Sequence, residues 1–468
     1  MNREGNNTTK RKEKNLKEGK STRLQDAAEA RYKDMTETPI SSLIPRLAVP
    51  TIISMLVTAL YNAADTFFVG KISTEATAAV GLCFSVMAII QAFGFFAGQG
   101  SGNFLSRMLG ARNEREAQEM AATGLALSMI IGLITASLII FNVRKLAGFL
   151  GATSTTVDET VSYLRIIALG APFMMGQFVI NNQLRYQGSA TYAMMGLLCG
   201  AVLNIALDPI LIFGLDLGVT GAALATITGQ ITSFFVLMFG TTRGANIRLK
   251  PRNIHLNSHY IFEIINGGIP ALFRQGLAAI ATILLNRAAG VYGDAAIAGM
   301  SVTTRVMMFV ASAMIGFGQG YQPVCAFNYG ADLKGRVREG YFFCVKYGTV
   351  FLTLMSALCL IFAPNIIGFF RNDPAVIEVG QVALRCQAAA LPLLGCTVIT
   401  NMMLQSMGKG LKASVTASAR SGLFFIPLIL ILPRVFGLLG VEISQAISDV
   451  LSISISIPFA YSELKKMK

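Results

Sequence analysis

Long apolar stretches alternate with short polar segments along almost the whole chain. Each stretch is long enough to cross a bilayer, because a membrane-spanning helix needs about 20 mostly apolar residues. The pattern therefore predicts an all-α integral membrane protein with twelve transmembrane helices. The predicted spans are 46–69, 78–100, 119–141, 161–184, 192–213, 219–240, 262–286, 296–320, 341–363, 379–403, 412–433 and 437–458.

The composition supports a chain that lives in lipid. Of its 468 residues, 53% are hydrophobic and 14% are charged, whereas a soluble domain carries roughly 25% charged residues. The net charge of +14 comes from basic residues in tails and loops, so the lipid bilayer is the expected partner and nucleic acid is not. No spacing of cysteine or histidine indicates a disulfide or a metal site, and no metal or cofactor is predicted.

Lysine and arginine are concentrated in the two tails and in the loops that follow even-numbered spans. Such residues remain on the cytoplasmic side, so both termini are predicted there, in a multi-pass protein of the plasma (cytoplasmic) membrane. Residues 1–40 are polar and basic and are predicted to form a disordered cytoplasmic tail. The loop "TTRGANIRLKPRN" belongs to a predicted cytoplasmic linker at 243–260.

The two sides of this linker repeat each other at an offset of 220 residues. The matches include Pro50 with Pro270, "GQG" at 98–100 with "GQG" at 318–320, and Asn181 with Asn401. Six spans per copy predict two bundles of equal orientation, at 41–242 and 261–462, related by a pseudo-two-fold axis along the membrane normal. This architecture is typical of secondary transporters that work by alternating access.

Two acidic side chains lie inside predicted spans of the first half. Asp65, in "LYNAADTFFVG", and Asp208, in "LNIALDPILIFG", fall at similar depths, and each follows a polar residue by four positions, Tyr61 and Asn204 respectively. That spacing puts each pair on one helix face. The second repeat has leucine and isoleucine at the equivalent positions, so the fold does not require the acids. Ionisable residues inside a membrane usually have a function, and these predict a cation or proton site.

Arginines inside the spans of the second half are candidates for the substrate cavity. Arg305, in "SVTTRVMMFV", is predicted to face the cavity, where it would pair with an acid or contact the substrate. Arg274, in "GIPALFRQG", is assigned to the same cavity.

The doubled six-helix plan, "ADTFFVG" in the first span and "LNIALDPILIFG" in the fifth resemble the multidrug and toxic compound extrusion (MATE) family, in its DinF/MepA-like bacterial branch. The resemblance covers about residues 40–460. It implies antiport of amphipathic, often cationic drugs against H⁺ or Na⁺. The coupling site that it implies consists of Asp65, Asp208, Asn204, Thr226, Tyr61 and Tyr163. It also places Gln177 and Asn181 in the substrate cavity, and the second bundle has no clear match to the acids of some relatives.

Two alternatives remain open at this point. One is a flippase for a lipid-linked precursor, which the arginines of the second half would suit. The other is a membrane-embedded enzyme that uses Asp65 and Asp208 as a catalytic pair, although no histidine, cysteine or serine shares their depth. The sequence favours a transporter that is not an enzyme and that functions as a monomer, because the internal duplication supplies both halves of a cavity.

Overall fold

The computed structural model describes residues 25–467, apart from the side chains of 62, 63 and 74. Twelve helices in this part of the chain are long and apolar enough to cross a membrane, which confirms the predicted fold class, and residues 25–467 contain no strand. The helices are α1 (Ile40–Val69), α2 (Thr74–Gly110), α3 (Glu114–Phe149), α4 (Val157–Tyr186), α5 (Ala190–Gly214), α6 (Gly218–Gly240), α7 (Ser258–Gly290), α8 (Asp294–Gly330), α9 (Lys334–Phe370), α10 (Pro374–Ser406), α11 (Gly410–Phe436) and α12 (Leu438–Lys465).

Most helices extend several residues beyond the predicted spans, because capping residues in the polar flanks set where they begin. The side chain of Ser73 accepts a hydrogen bond from the backbone N–H of Ala76 (2.9 Å) at the start of α2. Asn257 does the same for Tyr260 (3.0 Å) at the start of α7. Such caps satisfy N–H groups that have no partner within the helix. The apolar run marks only the part of each helix that matches the hydrocarbon layer.

The helices form two bundles with the same internal packing. In the first bundle α4 packs against α2, α3 and α6, and α5 packs against α1 and α6. The second bundle repeats these contacts with α10 against α8, α9 and α12, and α11 against α7 and α12. A hydrogen bond is repeated as well, since the Asn181 amide donates to the carbonyl of Ala193 (2.9 Å) and the Asn401 amide donates to that of Ala413 (2.6 Å).

The bundles meet where α1 packs on α8, α2 packs on α7, and α2 crosses α8. A Cβ atom at Gly110 would collide with the carbonyl oxygen of Phe327, and one at Gly330 would collide with that of Arg107. Residues 110 and 330, like 107 and 327, are related by the 220-residue offset. The contact is therefore reciprocal, as a pseudo-two-fold axis between the bundles requires.

Hydrogen bonds between the bundles lie beside this crossing. The Ser106 hydroxyl donates to the carbonyl of Pro323 (3.3 Å), and Arg107 pairs with Glu263 (2.8 Å). The closest contacts between the bundles are thus near the carboxyl ends of α2 and α8, on the face of the molecule that carries the residues before α1.

The predicted disordered tail at 1–40 is wrong for its last part, because residues 25–37 form a helix, here called the N-terminal helix. Its Tyr32 ring packs on Phe327 of the second bundle (5.7 Å between ring centroids), and the carbonyl of Met35 accepts a hydrogen bond from Asn328 (3.0 Å). Its Arg31 donates to the carbonyl of Ala245 (2.5 Å), which follows the first bundle. Residues 25–37 contain no Gly or Pro and are rich in helix-forming Ala, Glu, Arg and Lys, and these contacts fix the resulting helix against both halves of the molecule. Residues 1–24 of the predicted tail lie outside the described residues.

The predicted linker at 243–260 is irregular only up to the start of α7 at Ser258. It contains one short turn of 3₁₀ helix, Pro251–Asn253. The backbone N–H of His255 donates to the hydroxyl of Thr123 in α3 (3.0 Å), so the segment is held along the first bundle.

We expect Gly110→Ala and Gly330→Ala each to destabilise the protein, because the new methyl group would push apart two backbones in contact. Overpacking of this kind costs about 1–3 kcal/mol. Gly276→Ala in α7 is the matched control, since a Cβ atom there meets nothing within 4 Å. The melting temperature in detergent should fall for the first two variants only. Equal melting temperatures for all three would contradict the close crossing.

Candidate functional site

The two acids of the first bundle lie on neighbouring helices and close to each other. Asp65 is on α1 and Asp208 is on α5, and α1 packs against α5. Their side chains are 2% and 0% exposed, respectively, and they are near enough for their charges to interact. The helices that the sequence predicted to carry the acids thus bring both carboxyl groups to one buried place.

Hydroxyl and amide groups surround the acids. The Thr226 hydroxyl, on α6, accepts a hydrogen bond from the Asn204 amide (3.5 Å). The hydroxyls of Tyr61 and Tyr163 lie near Thr226, and the Tyr163 hydroxyl donates to the sulfur of Met87 (3.7 Å). Four helices, α1, α4, α5 and α6, therefore contribute to one polar cluster, and all six residues predicted for coupling are in or beside it.

Several oxygen atoms of this cluster have no hydrogen-bond partner among residues 25–467. They are Oδ1 of Asp65, both carboxyl oxygens of Asp208 and Oδ1 of Asn204. Buried polar atoms are nearly always paired, because an unpaired one loses its interaction with water and gains nothing in return. All four atoms are acceptors, and three of them belong to carboxyl groups, so the cluster is suited to bind a proton or a small hard cation.

The local structure of α5 changes immediately after Asp208. Pro209 has no N–H group to donate, and the helix continues as a π-helical turn over Ile210–Gly214. A proline inside a helix removes one backbone hydrogen bond, and single π-helical turns are frequent at functional sites. The sequence "DP" therefore places the carboxyl of Asp208 next to a part of α5 that departs from regular α-helical geometry.

A cavity of about 340 Å³ lies in the first bundle beside the acids. Tyr61, Asn204 and Thr226 belong to both its wall and the polar cluster. Its other lining residues are mostly apolar or uncharged polar: Thr58, Thr66, Phe84, Met87, Ala88, Gln91, Met174, Gln177, Phe178, Leu197, Gly200, Ala201, Gly229, Gln230 and Ser233. Such a wall suits an amphipathic molecule, which needs a large apolar contact and a few polar contacts.

The four residues predicted for the substrate cavity have different positions. Gln177 lines the cavity. Asn181, one helical turn further along α4, is not part of its wall and holds α5 through Ala193 instead. Arg274 lies between the bundles, where it donates to side-chain oxygens of Gln99 and Asn401. Arg305 is exposed on α8 and makes no ion pair with any residue that the structure describes.

Sequence reasoning missed a polar stripe on α6. Thr226, Gln230 and Ser233 all line the cavity, and the side-chain oxygens of Gln230 and Ser233 have no hydrogen-bond partner within 25–467. Their spacing of four and then three residues is the repeat of one helix face. That periodicity was visible in the sequence and could have extended the site beyond Thr226.

The second bundle fills the equivalent place with apolar side chains. At the offset of 220, Tyr61, Asp65 and Tyr163 correspond to Ala281, Leu285 and Ala383. These three residues belong to one buried apolar cluster, together with Ala289, Ala296, Met300, Phe425, Ile429 and Val441. The repeat can thus fill these three positions with apolar side chains, so the shared helix arrangement does not require an acid at position 65.

The second bundle does contain buried acids that the sequence analysis did not single out. Asp449 on α12 accepts hydrogen bonds from Arg420 (2.7 Å) and Gln445 (2.8 Å), and Glu463 pairs with Lys412 (2.5 Å). These two carboxylates have charged partners, as buried ions generally do. The acids of the first bundle lack such partners within the described chain. Glu442 on α12 is also buried (5% exposed) without a described ion pair, but it lies alone, whereas Asp65 and Asp208 lie close together beside a cavity.

Comparisons with known proteins agree with this architecture. The sequence model of the MatE family matches residues 50–210 and 270–431, one match in each bundle and again about 220 residues apart. The chain belongs to the MatE family. It is 31% identical over 423 residues to the multidrug export protein MepA of Staphylococcus aureus (strain NCTC 8325 / PS 47), covering 89% of this chain and 92% of the relative. It is 28% identical over 432 residues to the MepA of Staphylococcus haemolyticus (strain JCSC1435), with coverages of 91% and 94%.

Solved structures of MatE proteins have the same fold. A MOP superfamily transporter from Pyrococcus furiosus superposes with a TM-score of 0.87 at 26% identity, covering 93% of this chain and 98% of that one. A multidrug resistance MATE transporter in an outward-facing conformation gives 0.86 at 27% identity, with the same coverages. This chain is therefore a multi-pass membrane protein of the MatE family with a MepA-like sequence.

We expect Asp208→Asn to raise the melting temperature, because it removes a buried acid that has no described partner. Stabilising single changes typically contribute about 0.5–2 kcal/mol. Asp449→Asn should lower the melting temperature, since breaking a buried ion pair costs about 3–5 kcal/mol. Both substitutions have the same shape and similar burial, so thermal unfolding of the two variants in one detergent isolates the effect of pairing. If Asp208→Asn lowered the melting temperature as much as Asp449→Asn does, the carboxylate of Asp208 would be stabilised in the wild type.

Proposed function

We propose that this protein exports amphipathic, often cationic drugs by antiport against H⁺ or Na⁺, with Asp65 and Asp208 as the coupling site. The observation that carries the proposal is a pair of buried carboxyl groups beside a cavity of about 340 Å³, three of whose four oxygens have no hydrogen-bond partner in the described chain. The similarity to the MepA multidrug export proteins supports the choice of substrate class. No resident cofactor enters the mechanism, because the coupling ion is itself transported.

Coupling follows from competition between two kinds of positive charge. A cationic drug in the cavity is stabilised by the negative charge of Asp65 and Asp208. A proton or Na⁺ at the acids neutralises that charge, which weakens drug binding and favours its release. A ligand can shift a conformational equilibrium only through its different affinity for the two states, and the charge of the acids supplies that difference here.

Helix α1 is the element that can transmit this change. It carries Tyr61 and Asp65 near one end, contains Pro45 and Pro50 near the other, and packs on α8 of the opposite bundle. A proline inside a helix weakens it locally, so α1 can bend without unfolding. Neutral acids allow α1 to settle against α5 and α6, and the movement reaches the bundle interface through α1 itself.

Alternating access then consists of a rocking of one bundle against the other about their contact near Gly110 and Gly330. The face that carries the N-terminal helix is proposed to be cytoplasmic, as the distribution of lysine and arginine indicates. The protein would work as a monomer in the cytoplasmic membrane, since each bundle supplies one wall of the passage.

Export of a fluorescent cationic dye from proteoliposomes tests the proposal, with a pH gradient and a Na⁺ gradient imposed separately. We expect one gradient to drive export by the wild type, and Asp65→Asn and Asp208→Asn to reduce the rate to that of protein-free liposomes. The physical reason is that an amide cannot exchange a proton or neutralise a cation.

Asp216→Asn is the matched control, because Asp216 is exposed eight residues after Asp208 and has a positive φ of 54° that asparagine also tolerates. It should export at the wild-type rate. Gradient-driven export by Asp65→Asn at the wild-type rate would remove the basis of the coupling site. Absence of export by folded wild type under both gradients would favour a flippase for a lipid-linked precursor.

A second test separates cavity residues from packing residues on α4. Gln177→Ala should leave the melting temperature unchanged but alter the relative export rates of dyes of different size, because Gln177 lines the cavity. Asn181→Ala should lower the melting temperature, since losing a buried hydrogen-bond partner costs about 1–3 kcal/mol. If Asn181→Ala changed the relative export rates of the dyes and Gln177→Ala did not, the substrate would bind outside the cavity that Gln177 lines.

A further inference from the structure

Two arginines lie between the bundles, one from each. Arg185, at the end of α4, is 2% exposed and donates to Gln319 of the second bundle and to Asn182 (2.5 Å). Arg274, on α7, is half-buried and donates to Gln99 of the first bundle (3.3 Å). Gln99 and Gln319 are the central residues of the two repeated "GQG" segments. Each of these glutamines therefore receives a hydrogen bond from an arginine of the opposite bundle.

Neither arginine has a carboxylate partner among residues 25–467. Their side-chain acceptors are neutral amides, and neither takes part in an ion pair that the structure describes. The two guanidinium groups are also close enough to repel each other. A buried charge without an opposite charge is strongly unfavourable, and two like charges together are worse. The described chain therefore has an excess of positive charge at this place.

Three unpaired polar groups next to the arginines can donate a hydrogen bond. Arg185 Nε and Gln99 Nε2 are buried without a partner, and so is the hydroxyl of Tyr186. Tyr186 lies near both arginines, and its ring packs against α2 at Gly102. Unpaired acceptors, Asn103 Oδ1 and Gln322 Oε1, lie one helical turn away, but both are neutral and leave the positive charge uncompensated. Donors beside two guanidinium groups are complementary to an anion, which accepts hydrogen bonds and supplies the missing negative charge.

The repeat shows that the fold itself does not need these cations. At the offset of 220, Arg185 corresponds to Gln405 and Arg274 corresponds to Ser54. Gln405 is buried and fully neutral, and its amide donates to the carbonyl of Gly267 (2.7 Å). A glutamine can thus occupy the equivalent place with its hydrogen bonds satisfied.

We propose that Arg185, Arg274, Gln99 and Tyr186 form a binding site for a singly charged anion between the two bundles. The anion is either a free chloride-sized ion or the carboxylate of a substrate, since both supply one negative charge and only acceptors. Because its ligands come from both bundles, the anion stabilises the arrangement in which these parts of the bundles are in contact. The site is distinct from the acids, which lie within the first bundle, and it does not depend on drug export.

Thermal unfolding of the purified protein tests the site directly. Sodium chloride is titrated against sodium gluconate at constant ionic strength, so only the size and identity of the anion change. We expect the wild-type melting temperature to rise with chloride and to reach a plateau. Arg185→Gln and Arg274→Gln should raise the half-saturating chloride concentration at least about tenfold, which corresponds to about 1.4 kcal/mol.

Arg287→Gln is the matched control, because Arg287 is on the same helix as Arg274 but is exposed. It should respond to chloride as the wild type does. The proposal would be overturned if neither chloride nor the carboxylate dye rhodamine 110 changed the melting temperature of the wild type. It would also be overturned if Arg185→Gln and Arg274→Gln both responded to chloride as the wild type does. If both variants fail to fold, anomalous diffraction from bromide-soaked wild-type crystals decides, with a peak between Arg185 and Arg274 in support and none against.

A matched pair of dyes distinguishes the two sources of the anion. Rhodamine 110 has a free carboxylate, and rhodamine 123 is its methyl ester. If a substrate carboxylate occupies the site, rhodamine 110 should raise the melting temperature of the wild type in gluconate, and Arg274→Gln should abolish that rise. Rhodamine 123 should have the same effect on the wild type and on Arg274→Gln. If a free ion occupies it, chloride alone should distinguish Arg274→Gln from the wild type. These binding measurements need no gradient, so they remain informative even if antiport fails its own test.

Discussion

An unpaired charge away from water is costly in a membrane protein, and in two places of this molecule several such groups lie together. Asp449 with Arg420 and Glu463 with Lys412 show the usual pairing of buried ions, and Glu442 is buried singly. The acids of α1 and α5 and the arginines between the bundles have no such partners in the described chain. Both exceptions are therefore places where a charge from outside the chain is expected to complete the structure.

The internal repeat makes these exceptions visible. The two bundles share their helix order and packing partners. They also share a hydrogen bond from an asparagine side-chain amide, which joins α4 to α5 in the first bundle and α10 to α11 in the second. Against this common background the differences are chemical, since an apolar cluster around Leu285 replaces the acid site and Gln405 replaces Arg185. The helix packing is thus the same in both halves of the duplicated scaffold. The acids Asp65 and Asp208 and the arginines Arg185 and Arg274 each occur in one repeat and have no charged residue at the equivalent position of the other.

Much of this could be predicted from the sequence, because hydrophobic length and an offset between repeats are local or one-dimensional signals. The twelve spans, the bundles, and the positions of Asp65 and Asp208 in neighbouring helices follow from such signals. The role of Asn181 could not be predicted in this way, since the direction in which a buried amide points depends on the helix packed against it. The N-terminal helix was missed although residues 25–37 are rich in helix formers; what the sequence does not show is its docking, which comes from contacts with residues about 215 to 295 positions away.

The N-terminal helix has a consequence for the rate of the transport cycle. It is bonded to the second bundle through Asn328 and, at its end, through the Thr38 carbonyl, which accepts from Arg336 (2.6 Å). It is also bonded to the chain that follows the first bundle through Arg31. If the bundles rock as proposed, one of these attachments would be stretched, and the helix would have to detach from one side in every turnover. The attachments would then contribute an activation barrier that is independent of the drug carried, and a substitution in this helix would alter turnover without altering affinity.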